Sequence, residues 1–142
     1  HTFTYAIYPH ARDWRSAQTV RQSCELNQPL QVFHLNDSFE ELRSDAQKSL
    51  PSGGLFLDLQ SENLVLTAFK QSEDDPEKFV LRCYECHGES ANLNLKSDLD
   101  LRIGHSLNLL EQIQDDSAPS LIEPWKIKSF SISQNPRSDT EN

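Results

Sequence analysis

Methionine is missing from all 142 residues. A natural translation product begins with one, so the sequence reads as a segment excised from a longer polypeptide. Glycine occurs four times, which leaves little backbone for a phosphate-cradling loop, and neither that loop nor a G-x-S-x-G nucleophile elbow is present. Long apolar runs are also missing. None approaches the roughly 20 residues a bilayer requires, and the N-terminus lacks the basic and apolar blocks of a secretory signal, so no membrane partner is expected. Positive charge is scarce, with 13 Lys and Arg against 22 Asp and Glu and a net charge of −9. Such a surface repels phosphate backbones, and nucleic acid is excluded as an expected partner. The three cysteines cannot all pair within one chain, and Cys24 lies far from Cys83 and Cys86. A stapled secreted scaffold is therefore not expected, and a reducing cytoplasm fits better.

What is present is β patterning. Thr2 to Tyr8 alternates Phe3, Tyr5 and Ile7 with Thr2, Thr4 and Ala6 until Pro9, which predicts a strand. Asp13 is then placed as the N-cap of a short helix, with Trp14, Ala17, Val20 and Cys24 at helical spacing, ended by Asn27 and Pro29. Leu30 to Leu35 is β-like again, and the polar stretch Asn36 to Gly54 is a candidate linker. Further strands are predicted over Leu55 to Leu59, Leu64 to Lys70, Lys78 to His87, Ala91 to Leu95, Leu99 to Ile103 and Ser106 to Leu110. A last strand, Trp125 to Ser133, changes parity between Ile127 and Phe130, which predicts a β-bulge near Lys128 or Ser129. Many short strands with one helix and no fixed repeat indicate a mainly β chain, a β-sandwich.

The sharpest local pattern is Cys83-Tyr84-Glu85-Cys86-His87, the C-x-x-C-H form of c-type haem attachment. On a strand, side chains three apart face opposite ways, so the two thiols could not reach one porphyrin edge. A zinc site would need a further ligand such as Cys24 or His105, and the second close ligand pair of structural zinc sites is missing. Buried packing is the preferred reading of both cysteines. The five histidines are dispersed. The carboxylates are numerous, but most fall in loops, where solvation accounts for them.

Two stretches carry a family resemblance. The first is His1 to His10, continuing through Asp13-Trp14-Arg15 to Glu25-Leu26-Asn27-Gln28-Pro29-Leu30; the second holds Val65 to Lys70, Glu73-Asp74, Val80 to Glu85, Gly88, Leu109-Leu110-Glu111 and Pro124 to Phe130. In order and spacing they resemble the C-terminal region of family 38 glycoside hydrolases, the α-mannosidases of bacterial and cytosolic type. Two departures stand out: Arg12 is found where glycine is expected, and Cys83 and Cys86 where the family tends to have aliphatic or small residues. The resemblance implies a parent enzyme whose aspartate nucleophile and zinc ion sit in a catalytic domain with no counterpart among these residues. No catalytic residue, metal ligand or cofactor is therefore assigned to this chain, and zinc is expected in the parent.

The same resemblance implies that residues 1–50 are the trailing strands and helix of a supersandwich-like domain and that 55–133 form a small C-terminal β-sandwich; 134–142, outside the resemblance and almost without apolar residues, is expected to be a disordered tail. The expected role is non-catalytic support of the catalytic domain in hydrolysing α-mannosides, with the remainder of the parent polypeptide as partner. Tyr8, His10 and Trp14, a cluster of aromatic and polar residues just after a predicted strand, are the candidates for contact with that body. The alternative is a stand-alone carbohydrate- or protein-binding β-sandwich module, which titration with mannosides distinguishes.

Overall fold

The computed structural model describes residues 2–33, 53–114 and 120–134. Of the predicted linker over 36–54, residues 36–52 lie outside them, as do residues 135–142 of the predicted tail over 134–142. The chain divides into two compact units, His1–Gly54 and Leu55–Asn142.

Among its described residues the first unit holds one helix, α1 (Thr19–Asn27). It starts later than predicted. The Asp13 carboxylate accepts the Ser16 N–H at 2.8 Å and so caps a separate turn, which closes through Ala17 N–H to Asp13 O and Thr19 N–H to Trp14 O. Gln18, at φ 54° in the left-handed region, separates that turn from the helix. After Asn27, the Gln28 N–H bonds Cys24 O, and Pro29 ends the helical run. The strand predicted over Thr2 to Tyr8 is not formed, nor is any over 30–33. Alternation alone does not make a strand, which exists only where a neighbour completes its ladder. Phe3, Tyr5 and Ile7 are instead at least 80% exposed, and no described residue of this unit is buried.

The second unit is a two-layer antiparallel structure. Its main sheet is built from β1 (Leu64–Gln71), β2 (Lys78–Glu85), β4 (Leu101–Leu107) and β6 (Ile127–Gln134), in the spatial order β1-β2-β6-β4. The second layer pairs β3 (Ala91–Asn92) with β5 (Leu121–Ile122), and an isolated bridge links Asp58 to Lys96. Leu99–Ile103 and Ser106–Leu110, predicted as two strands, are the single β4 and a following turn.

Parity places the core. On β2, Phe79, Leu81, Cys83 and Glu85 share one face, which opposes Ile132 and Phe130 of β6. Leu59, Leu64, Leu81, Cys83, Ala91, Leu93, Ile122, Phe130 and Ile132 close into one buried cluster between the layers. Phe69 stacks on Phe79 with centroids 5.3 Å apart and meets the edge of Phe56 at one margin. Each large side chain so buried contributes about 1.5–3 kcal/mol, and truncating fully buried Phe130 to alanine costs about 3–5 kcal/mol.

Bulges occur, but not where the sequence pattern placed one. The β2–β6 ladder is uninterrupted from Lys78↔Ser133 to Tyr84↔Ile127, so there is none at Lys128 or Ser129. The parity change has another cause: Ile127 and Trp125 are more than half exposed and were never core residues. One bulge lies in β1, where the register shifts between Leu66 and Ala68 and the Thr67 hydroxyl donates to Arg82 O at 3.0 Å. It brings Leu64, Leu66 and Phe69 to one face. The other lies in β4 between Ile103 and Ser106, opposite Ser131, whose hydroxyl accepts the His105 N–H at 2.8 Å. A side chain at Gly104 would collide there, since its Cβ would stand 2.5 Å from the Ser131 oxygen. This bulge turns Leu107 to the opposite face from Leu101 and Ile103.

Candidate functional site

The most constrained chemistry in the chain is a carboxylate that the sequence reading did not single out. Glu85 ends β2 on the core-facing parity and is 1% exposed. Its Oε1 accepts the His87 N–H at 2.7 Å and the Asn63 amide at 2.9 Å, while Oε2 accepts the Gly88 N–H at 2.8 Å and the Trp125 N–H at 3.0 Å. Burial alone would raise this carboxyl. The backbone N–H groups of Trp125, His87, Gly88 and Glu89 outweigh burial and hold it down at about 2, against an ordinary 4.5.

Around this anion three loops are tied together. Cys86 N–H donates to Asn63 O, Glu85 N–H to Lys126 O, and Ser61 Oγ to Asn63 Oδ1. Gly88 sits at φ +79°, and a Cβ there would fall 2.6 Å from a ring carbon of Trp125. Only glycine lets the indole lie against this turn. Trp125 is itself left-handed, at φ 61°. The arrangement can hold the corner rigid; it cannot supply a proton, because an acid catalyst needs a raised carboxyl pKa and this one is pushed the other way.

A second clamp sits where β1 and the turn after β4 approach. The Glu111 carboxylate accepts Ser72 Oγ at 3.1 Å and Glu73 N–H at 3.0 Å and pairs with Lys70 Nζ at 2.5 Å. The Lys70 hydrogen bond is the main cause holding Glu111 below the usual carboxylate range. Beside it lies a pocket of about 180 Å³, whose wall includes Asp75, Lys78, His105 and Ser131. Asp75 is bonded to Lys78 at 2.8 Å and is likewise lowered. Among the described residues every carboxylate with a resolved shift, Asp13, Asp75, Glu85 and Glu111, is shifted downward. None is poised as a general acid.

The C-x-x-C-H segment resolves as packing. Cys83 is fully buried in the core cluster, Cys86 is 5% exposed, and neither is in a disulfide. Burial pushes the Cys83 thiol up to about 12, away from the thiolate that ligates metal or attacks a vinyl group. No group of three His, Cys, Asp or Glu among the described residues is arranged to hold a metal ion.

Tyr8, His10 and Trp14 lie in the first unit. The structure brings Tyr8 and His10 together, ring centroids 5.6 Å apart, and Tyr8 Oη donates to Ala17 O at 3.2 Å. Trp14 is half-buried, with the Arg15 guanidinium 4.7 Å above its ring. Arg12, between them, adopts φ 67°. That left-handed backbone is the physical reason glycine suits this position.

Comparison with known proteins agrees with the fold. Residues 63–130 match the model of the glycosyl hydrolases family 38 C-terminal beta sandwich domain. Alpha-mannosidase G of Dictyostelium discoideum is 26% identical over 144 residues, covering 95% of this chain and 12% of that protein. Alpha-mannosidase 2C1 of Homo sapiens is 26% identical over 146 residues, covering 96% of this chain and 13% of that protein. The chain thus spans about an eighth of the length of the curated relatives it matches. Glu85, Gly88 and Trp125 all fall inside the matched segment, and so do both bulges and most of the core. The match over 63–130 and the α-mannosidase relatives together support reading the second unit as the C-terminal β-sandwich domain of glycosyl hydrolase family 38.

Proposed function

We propose that this chain is the non-catalytic C-terminal β portion of an α-mannosidase, and that it supports a catalytic domain in the hydrolysis of α-mannosides. The observation that carries this reading is the asymmetry of the match: nearly all of this chain aligns with α-mannosidases, and it accounts for only 12–13% of their length. In this reading the nucleophile and the zinc ion belong to the catalytic domain. The described residues of this chain do not fit a zinc site.

The first unit, with exposed Phe3, Tyr5 and Ile7, is the remnant of a larger β domain, and Tyr8, His10 and Trp14 face the catalytic body. The protein works in the cytoplasm. None of the helices among the described residues is long and apolar enough to cross a membrane.

The test is turnover. The purified 142-residue chain, with or without added zinc, is expected to leave an aryl α-mannoside intact, while the polypeptide as its source makes it hydrolyses the same substrate. Hydrolysis by the short chain that survives rigorous purification would refute the non-catalytic role, and an inactive natural polypeptide would refute the mannosidase.

A further inference from the structure

The turn after β4 spends an unusual number of bonds on a short piece of chain. Asn108 Oδ1 accepts the N–H groups of Leu110 and Gln112 at 2.9 and 3.0 Å, and its amide donates to Gln112 Oε1 at 2.9 Å. Asn108 N–H bonds Gln112 O, Glu111 N–H bonds Asn108 O, and Gln114 N–H bonds Ser106 O. Leu107 and Ile113 form a bridge across the base. At the far side Glu111, at φ 64°, is turned inward onto Ser72, Glu73 and Lys70.

The result of this bracing is to hold Leu109, Leu110 and Ile113 out in solvent, at 72%, 74% and 67% exposure. A flexible loop would fold such side chains back. Rigid, exposed apolar residues are what an interface anchor requires, because the ordering cost has been met before binding. The two leucines at the tip have no charged neighbour in sequence but Glu111. From Ser106 to Gln114 that is the sole ionisable side chain besides His105's neighbourhood, and it is turned away onto Lys70, which it shares with Glu73.

We propose that Leu109 and Leu110 form a preorganised knob that seats in an apolar recess of the α-mannosidase polypeptide outside this chain. The inference rests on the mannosidase reading above. That polypeptide is the chosen occupant because some seven-eighths of each relative's length lies beyond the match. A second copy is disfavoured by its own net charge of −9.

Hydroxyl-radical footprinting of the 142-residue chain and of the polypeptide as its source makes it tests the knob directly. Leu109 and Leu110 are expected to be oxidised at least 5-fold more slowly in the natural polypeptide. The double variant Leu109→Ser/Leu110→Ser should melt within about 2 °C of the parent in the short chain, yet release the C-terminal domain faster to limited proteolysis in the natural polypeptide. Equal oxidation in both proteins would overturn the proposal, as would protection in the short chain that grows with its concentration, the mark of self-association. Aryl α-mannoside turnover is scored separately: protection without turnover keeps the knob and rejects the mannosidase, and turnover without protection does the reverse.

Discussion

Replacing Glu85 by glutamine changes one oxygen into an amide nitrogen and leaves the shape almost intact. Each carboxylate oxygen takes two donors, so the amide group leaves two N–H groups facing another donor, whichever way it turns. A buried donor left without an acceptor costs about 1–3 kcal/mol. The two bonds that survive lose their charge assistance, roughly half their strength. Together these give about 3–5 kcal/mol, a large share of the stability of a domain this small. For a unit of this size that corresponds to a fall in Tm of about 15 °C or more. Trp125 packs in the same corner, so urea titration followed by its fluorescence in a Trp14→Phe background reads the loss directly. The pH dependence supplies an internal check. The folded Glu85 carboxyl lies at about 2, below its unfolded value near 4.5, so the unfolded state binds the proton first. Its contribution is complete above pH 4.5 and is lost as pH falls towards 2, and that component should be missing from the glutamine variant. A cost under about 1 kcal/mol at neutral pH, or an unchanged acid limb, would show that the four donors find water instead and that the corner is not built on this anion.

Gly88→Ala should destabilise by about 2 kcal/mol in the same titration, from left-handed strain and the contact with Trp125, and removing the indole in a Gly88→Ala/Trp125→Ala pair should recover part of it. Thiol labelling of the native chain with an aromatic disulfide at pH 8 should modify half-buried Cys24 first and leave Cys83 and Cys86 untouched until urea is added; fast reaction of either would contradict their burial. Arg12→Gly should be neutral or stabilising by up to about 1 kcal/mol and Arg12→Val destabilising by a similar amount, measured as the rate of proteolysis within residues 2–33.

How much of this was legible follows from the physics of strands. β1, β2 and β6 were readable because apolar residues recur on one parity of each, Leu64 and Leu66, then Phe79, Leu81 and Cys83, then Phe130 and Ile132, and the helix because Asn27 and Pro29 stop it clearly. Thr2 to Tyr8 misled for the opposite reason: its alternation is as good as any, but pairing is a property of two segments, and one segment's pattern does not contain it. The bulges were misplaced because Ile127 and Trp125 were taken as core residues, whereas the extra residues sit in β1 and β4. Glu85 was missed among plentiful acids, although a signal existed. It occupies the same parity as Phe79, Leu81 and Cys83, and an acidic side chain on an apolar face must find donors. Its donors come from residues 63, 87, 88 and 125, a convergence that no linear pattern displays.

Both bulges fall in β1 and β4, the outermost strands of the main sheet, while the inner ladder is regular. An open sheet margin is a template on which identical molecules can stack into fibrils. Here a straight foreign strand laid along either margin would lose its matching after a few rungs, because one extra residue throws the following donors and acceptors out of step. Straightening them, by deleting Thr67 or His105, should convert a well-behaved protein into one prone to polymerise.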